Sequence, residues 1–339
     1  MTPESSPLTP RERGAIEGIS DYRPRPLLFN RHLQTIYPKF RPTWRRPKYV
    51  RETWTTPDDD FIDVDIAAEG TPMLLVFHGL EGDSRSHYAQ ALCLAAMARG
   101  WGAAVVHFRG CSGRPNHLAR AYHSGDSDEV QWMLETARRR WPDAQRLAVG
   151  ISLGANVLLK WLGERGDSAA PLLAAAAAIS APHDLETSAR SLAIGFNRVY
   201  TRVFMRTLRR KSLDKLTRFP GVFDRRQVLR ARSFFDFDDA VTAPLHGFLG
   251  AHDYWSRCSC RPHLAAITLP TLIVNARNDP FLPEHALPVA DAVGPGVHLA
   301  TPAGGGHVGF FDGRRGKSGC DRFAEAVLRW LANASTPGG

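Results

Sequence analysis

Ser152 sits in Gly150-Ile151-Ser152-Leu153-Gly154, a Gly-x-Ser-x-Gly pattern that occurs once in the chain. A serine hydroxyl is a weak nucleophile unless a base takes its proton and an acid orients that base. The flanks of this serine suit such a role. Arg146 to Ile151 reads as a short buried strand, and Ala155 to Leu162 carries apolar residues at helical spacing. A serine on a sharp strand-to-helix turn has its hydroxyl pushed out above the sheet, and glycines on either side let the backbone make the turn. The first amide of the following helix, Leu153, has no intrahelical acceptor and can bind a developing oxyanion.

The partners are expected after the serine, acid first and histidine second, each behind a late strand. Thr271 to Asn275 reads as such a strand, with Asp279 in the turn behind it. His307 follows a short strand near Val297 to Thr301, inside Gly304-Gly305-Gly306-His307-Val308-Gly309. Alone, Asp279 could be a turn former before Pro280 and His307 a loop histidine. Three pieces in the right order at three strand ends point to a Ser152-His307-Asp279 triad, with Asp253 and Asp312 as the rival acids. A second oxyanion donor is expected after the early strand Met73 to His78, where His78-Gly79-Leu80-Glu81-Gly82 directs the Leu80 amide at the reacting carbonyl. His78 precedes the nucleophile and is read as shaping that loop, not as the base. The His-x4-Asp spacings at His123 to Asp128 and His307 to Asp312 are near what chance supplies among 13 histidines, and decide nothing.

The elements that must hold these residues alternate. Strand-like runs fall at Phe61 to Ala67, Met73 to His78, Gly102 to Phe108, Arg146 to Ile151 and Leu172 to Ser180, the last with an alanine run suited to close packing. Amphipathic runs lie between them at Ser86 to Ala98, Asp128 to Trp141 and Ala155 to Arg165, and a last helix is expected from Asp321 to Leu331. This pattern predicts an α/β fold with a mostly parallel sheet and helices on both faces. Residues 1–46 read as a surface arm anchored by Leu27-Leu28-Phe29 and Leu33 to Tyr37. The core is expected over 47–182 and 263–339, interrupted at 183–262 by a helical, basic insertion that would cap the site.

The chain resembles the YheT-like members of the α/β-hydrolase family, which are related to eukaryotic α/β-hydrolase-domain lipases and medium-chain ester synthases. The matching pieces are Asn30-Arg31-His32-Leu33-Gln34-Thr35, His78 to Gly82, Phe108-Arg109-Gly110-Cys111-Ser112-Gly113, Tyr122-His123-Ser124-Gly125, the turn at 150–154 and Asn278-Asp279-Pro280-Phe281. They span most of the chain. The resemblance implies an α/β-hydrolase fold, a triad at Ser152, Asp279 and His307, and hydrolysis of a small-molecule carboxylic ester without cofactor or metal. Acyl transfer to an alcohol and a non-catalytic binding role on the same fold are the alternatives.

Composition narrows the rest. At 339 residues, 43% hydrophobic and 23% charged, the chain can bury a full core. No apolar run reaches the length of a transmembrane helix, and Met1 to Pro7 does not begin a signal peptide. Five scattered cysteines suggest a reducing compartment, so a cytoplasmic protein is expected. The charge of +9 is mostly dispersed arginine without a recognition motif, and no nucleic-acid partner is expected. His252, Cys258, Cys260 and His263 lack a common zinc spacing. In Phe196 to Lys211, Phe196, Val199, Tyr200, Val203, Phe204 and Leu208 share one helical face and Arg198, Arg202, Arg206, Arg209 and Arg210 dominate the remainder. Such a helix most often packs its apolar side on the protein, here over the acyl site; contact with lipid or a membrane surface is the alternative.

Overall fold

The structure, a computed structural model, describes residues 18–40 and 45–336. In chain order it contains α1 (Arg31–Phe40), β1 (Val50–Thr55), β2 (Phe61–Ala68), β3 (Met73–Phe77), α2 (His87–Met97), β4 (Gly102–Val106), α3 (Ser127–Arg140), β5 (Arg146–Ile151), α4 (Leu153–Arg165) and β6 (Ala175–Ile179). A helical stretch follows with α5 (Leu185–Leu192), α6 (Asn197–Arg218), α7 (Arg225–Arg230), short turns between 234 and 246, and α8 (Ala251–Cys258). β7 (Thr271–Val274), β8 (Val297–Ala300) and α9 (Arg322–Ala334) complete the fold.

The strands form one sheet in the order β1-β2-β4-β3-β5-β6-β7-β8. β1 and β2 pair antiparallel, as do β2 and β4; the other pairs are parallel. Successive side chains alternate between the two faces, and both faces are covered, so the central strands are apolar throughout. Met73, Leu75 and Phe77 pack with Val130, Leu134 and Leu158 of α3 and α4. Leu74 and Val76 pack on the other face with Leu92 of α2 and Leu328 of α9. The alanines of β6 divide between these two cores, and their small side chains let helices approach from both sides. Strand order reverses between β3 and β5, and the carboxyl ends of strands beside such a reversal open a crevice.

The structure departs from the sequence-based reading in two places. β1 was not expected, because Val50 to Thr55 is polar and only Trp54 is buried. It is an edge strand held by cross-strand pairs, with Arg51 Nε donating to Asp65 at 2.7 Å and Thr53 Oγ1 to Asp63 at 2.7 Å. The arm contains a helix, and its expected apolar anchors divide, with Ile36 and Tyr37 half-buried. Leu28 is buried, whereas Leu27, Phe29 and Leu33 are exposed. Within α1 the buried residues are Gln34, Thr35 and Pro38. Parts of the expected arm, 1–17 and 41–44, lie outside the described residues.

Candidate active site

Ser152 occupies the turn between β5 and α4 with φ 53° and ψ −115°. Positive φ is strained for a residue with a side chain and persists only where its surroundings enforce it. The enforcement is visible. Ser152 N–H donates to Ile179 O at 2.9 Å, while its carbonyl accepts from Ala155 and Asn156 at 3.0 Å each. A Cβ at Gly150 would lie 2.6 Å from Gly154 O, and one at Gly154 would lie 2.4 Å from Phe77 O. Both positions are therefore closed to any side chain.

His307 Nε2 lies 2.9 Å from Ser152 Oγ, and its Nδ1 lies 2.9 Å from Asp279 Oδ2. Asp279 is buried, and its other oxygen accepts Phe281 N–H at 2.7 Å. The Phe281 ring stacks on the imidazole with centroids 4.0 Å apart. The rival acids are placed elsewhere. Asp312 pairs with Arg314 at 2.9 Å, and Asp253 pairs with Arg257 on α8 at 3.4 Å.

The loop after β3 presents a backbone donor beside the serine. A Cβ at Gly79 would lie 3.2 Å from Ser152 Cβ. Gly79 N–H donates to Tyr88 Oη at 3.0 Å, Glu81 N–H to Tyr122 Oη at 3.0 Å and Gly82 N–H to Gly79 O at 2.9 Å. Among the described residues no partner is found for the Leu80 or Leu153 N–H, and both residues line the cavity over Ser152. His78 is wholly buried, with Nδ1 2.8 Å from Gly79 O and Nε2 accepting Phe108 N–H at 3.1 Å. Burial pushes its pKa down to about 3, so it stays neutral and fixes the loop.

Sequence reasoning missed the clamp on the histidine loop. Thr35 Oγ1 accepts His307 N–H at 2.9 Å and donates to Arg31 O at 2.8 Å. Gln34 Oε1 accepts Gly305 N–H at 2.8 Å and Asn278 Nδ2–H at 2.9 Å, and Asn278 Oδ1 accepts Gly306 N–H at 3.0 Å. α1 thus holds the loops carrying Asp279 and His307 in register. Gly306 has φ +54°, and a Cβ there would meet Thr35 Oγ1 at 2.6 Å, so a glycine is needed for this approach.

A cavity of about 840 Å³ lies over Ser152 and His307, within the range that takes a small ligand. Leu192, Phe204, Leu208, Phe223 and Phe237 from the helical stretch line it. That stretch has its own apolar cluster, which includes Met205, Leu208, Val228 and Val241. Lys211 of α6 pairs with Glu81 at 2.9 Å and so ties this stretch to the loop of Leu80. Asp238, in a π-helical turn at Asp238–Thr242, also lines the cavity. It accepts from Trp255 Nε1 at 2.8 Å and Thr242 Oγ1 at 2.7 Å, and burial raises its pKa to about 6. α6 divides its apolar residues: Phe204 and Leu208 line the cavity, while Val199 and Val203, with Phe196 just before the helix, are exposed.

The four residues weighed as a metal cluster are separated. Cys258 Sγ lies 3.7 Å from His123, Cys260 Sγ lies 3.4 Å from His183, and His252 meets Glu186 at 3.4 Å. Among the described residues no helix is long and apolar enough to cross a membrane.

A profile of the family described as alpha/beta hydrolase fold matches residues 72–314. A protein of Escherichia coli (strain K12) named YheT, a candidate esterase by that name, is 37% identical over 320 residues, 90% of this chain and 92% of its own length. Phospholipase ABHD3 of Mus musculus is 30% identical over 250 residues, 73% of this chain and 60% of its own. Among solved structures, the Pyrococcus furiosus esterase Pf2001 aligns with TM-score 0.55 at 14% identity, covering 84% of this chain and 91% of that one; this likeness bears on fold alone. By sequence, strand order and the turn that carries Ser152, the chain belongs to the α/β-hydrolase fold family.

Proposed function

We propose that the protein is a serine esterase that hydrolyses carboxylic esters through an acyl-enzyme, as the names of its esterase and phospholipase relatives also suggest. The observation that carries this reading is the chain of two 2.9 Å contacts from Ser152 Oγ through His307 to Asp279 Oδ2 beneath a largely apolar wall. Asp279 fixes the tautomer in which Nδ1–H donates to it and Nε2 accepts from the serine. Ser152 Oγ attacks the ester carbonyl as His307 takes its proton. The tetrahedral oxyanion forms beside the Leu80 and Leu153 amides, whose lack of competing partners leaves them available as charge develops. Collapse expels the alcohol, which receives the proton from His307. Water, activated by the same imidazole, then releases the acid and restores the serine.

In this reading residues 183–262 act as a cap, and Phe204 and Leu208 bound the acyl chain. A panel of aryl esters of graded acyl length tests it. Turnover is expected to peak within the short to medium chains and to leave a transient acyl group on Ser152. No ester turnover across the panel would favour a non-catalytic role. Faster product release on adding an alcohol, with ester formed in place of acid, would favour acyl transfer.

A further inference from the structure

Two apolar stripes left exposed among the described residues lie side by side. One runs along the arm, where Phe29 is 84% and Phe40 80% exposed, with Leu27 and Leu33 also open to solvent. Leu33 and Phe40, seven residues apart in α1, share one helical face, and Phe29 lies just before the helix. The other stripe belongs to α6 and the turn before it, where Ile194 is 67% and Val203 60% exposed, with Phe196 and Val199 also open to solvent. Ring contacts join the two helices. His32 of α1 lies 4.4 Å from Phe196 and places Nδ1 3.2 Å from Tyr200 Oη, and Lys39 sits 5.9 Å over Phe204.

The charge around these stripes has one sign. Arg31, Arg198, Arg202 and Arg206 are exposed among the apolar residues, while neither α1 nor residues 197–213 contain an acid. A second copy docked face to face would set these arginines against each other. A surface of lipid phosphates would neutralise them while the apolar side chains entered the headgroup–acyl boundary. The face also lies one side chain from the catalytic cavity. Phe204 lines the cavity beneath Lys39, and Tyr200 packs at 5.0 Å on Phe281, the ring stacked on His307.

We propose that the α1–α6 face docks the protein on an anionic lipid bilayer, with its arginines at the phosphates and Phe29, Phe40, Val199 and Val203 inserted beside them. The docking does not depend on the assignment of the triad, because its readout is binding. The full chain is sedimented with vesicles of phosphatidylcholine alone and of phosphatidylcholine mixed with phosphatidylglycerol. Partition onto the mixed vesicles is expected, weakening as salt rises. Combining Phe29→Ser, Val199→Ser and Val203→Ser should lower partition at least about tenfold, since several buried methylenes are lost. Arg198→Gln with Arg202→Gln should lower it roughly fivefold per arginine on the mixed vesicles only. Both variants should keep the wild-type circular dichroism spectrum and melting temperature, which shows that they fold. Failure of the wild type to sediment with either vesicle, or equal partition by the triple variant, overturns the proposal. So does a wild-type dimer that ignores vesicles and that the triple variant dissociates, because a second copy would then cover the face.

Discussion

The two carboxylates that flank His307 in sequence order, Asp279 and Asp312, differ in what they touch, and this separates their expected effects. Asp279 is 2.9 Å from His307 Nδ1, whereas Asp312 pairs with Arg314. Asp279→Asn should lower kcat on the order of 10⁴-fold with the fold intact, because the amide would hold the wrong tautomer. Asp312→Asn should leave kcat nearly unchanged and lower thermal stability; a steady-state comparison of the two variants decides, and a larger kcat loss for Asp312→Asn would show the acid misplaced. Thr35 is a positioning residue, acting through the backbone of His307. Thr35→Val leaves a buried N–H without its acceptor and should cost about 1–3 kcal/mol of local order. It should reduce kcat roughly ten- to a hundredfold with little change in KM, and Thr35→Ser should restore it. A change confined to stability would contradict the role. The placement of Ser152, Asp279 and His307 at strand-end loops could be read from sequence because glycines and strand ends mark them. Gln34 and Thr35 were marked only as part of the Asn30 to Thr35 motif, and their role as a clamp could not be read, because their partners Gly305 and His307 lie far along the chain.

At the level of elements, the alternating core was readable since buried parallel strands and amphipathic helices impose strong periods. β1 was not, since an edge strand needs only one buried side chain and shields itself with charge. α6 was read correctly as a helix, but one apolar face was expected where the structure has two uses for it. Phe204 and Leu208 line the cavity, so replacing either with alanine should shift the preferred acyl length toward longer chains. Each added buried methylene contributes about 0.8 kcal/mol, enough to move the optimum by one or more carbons. An unchanged profile in both variants would place the acyl chain elsewhere. Asp238 gives the same region a pH signature. Its pKa is raised to about 6 in the folded protein, so the folded state holds a proton that the unfolded state releases, and this group costs stability as pH rises from about 4 through 6. The melting temperature of Asp238→Asn relative to wild type should therefore be higher at pH 8 than at pH 4.5. An equal difference at both pH values would contradict the burial of an ionised carboxylate there.

For the whole molecule, one sheet carries Ser152, Asp279 and His307 on three strand-end loops, α1 bonds to the last two loops, and residues of the helical stretch line the cavity above them. Fold and chemical site are coupled because the strained Ser152 backbone is held by β6 on one side and by a glycine pressed against β3 on the other. The substrate was less readable than the fold, as it depends on cavity walls drawn from α5, α6 and the turns after α7, which meet only in three dimensions. The most direct test of the central claim is covalent labelling with a fluorophosphonate, followed by peptide mass spectrometry. The wild type should be modified on Ser152 alone, at a rate that falls steeply in His307→Ala, and Ser152→Ala should fold normally and take up no label. Stoichiometric labelling of Ser152→Ala, or a wild-type adduct on another residue, would contradict the account.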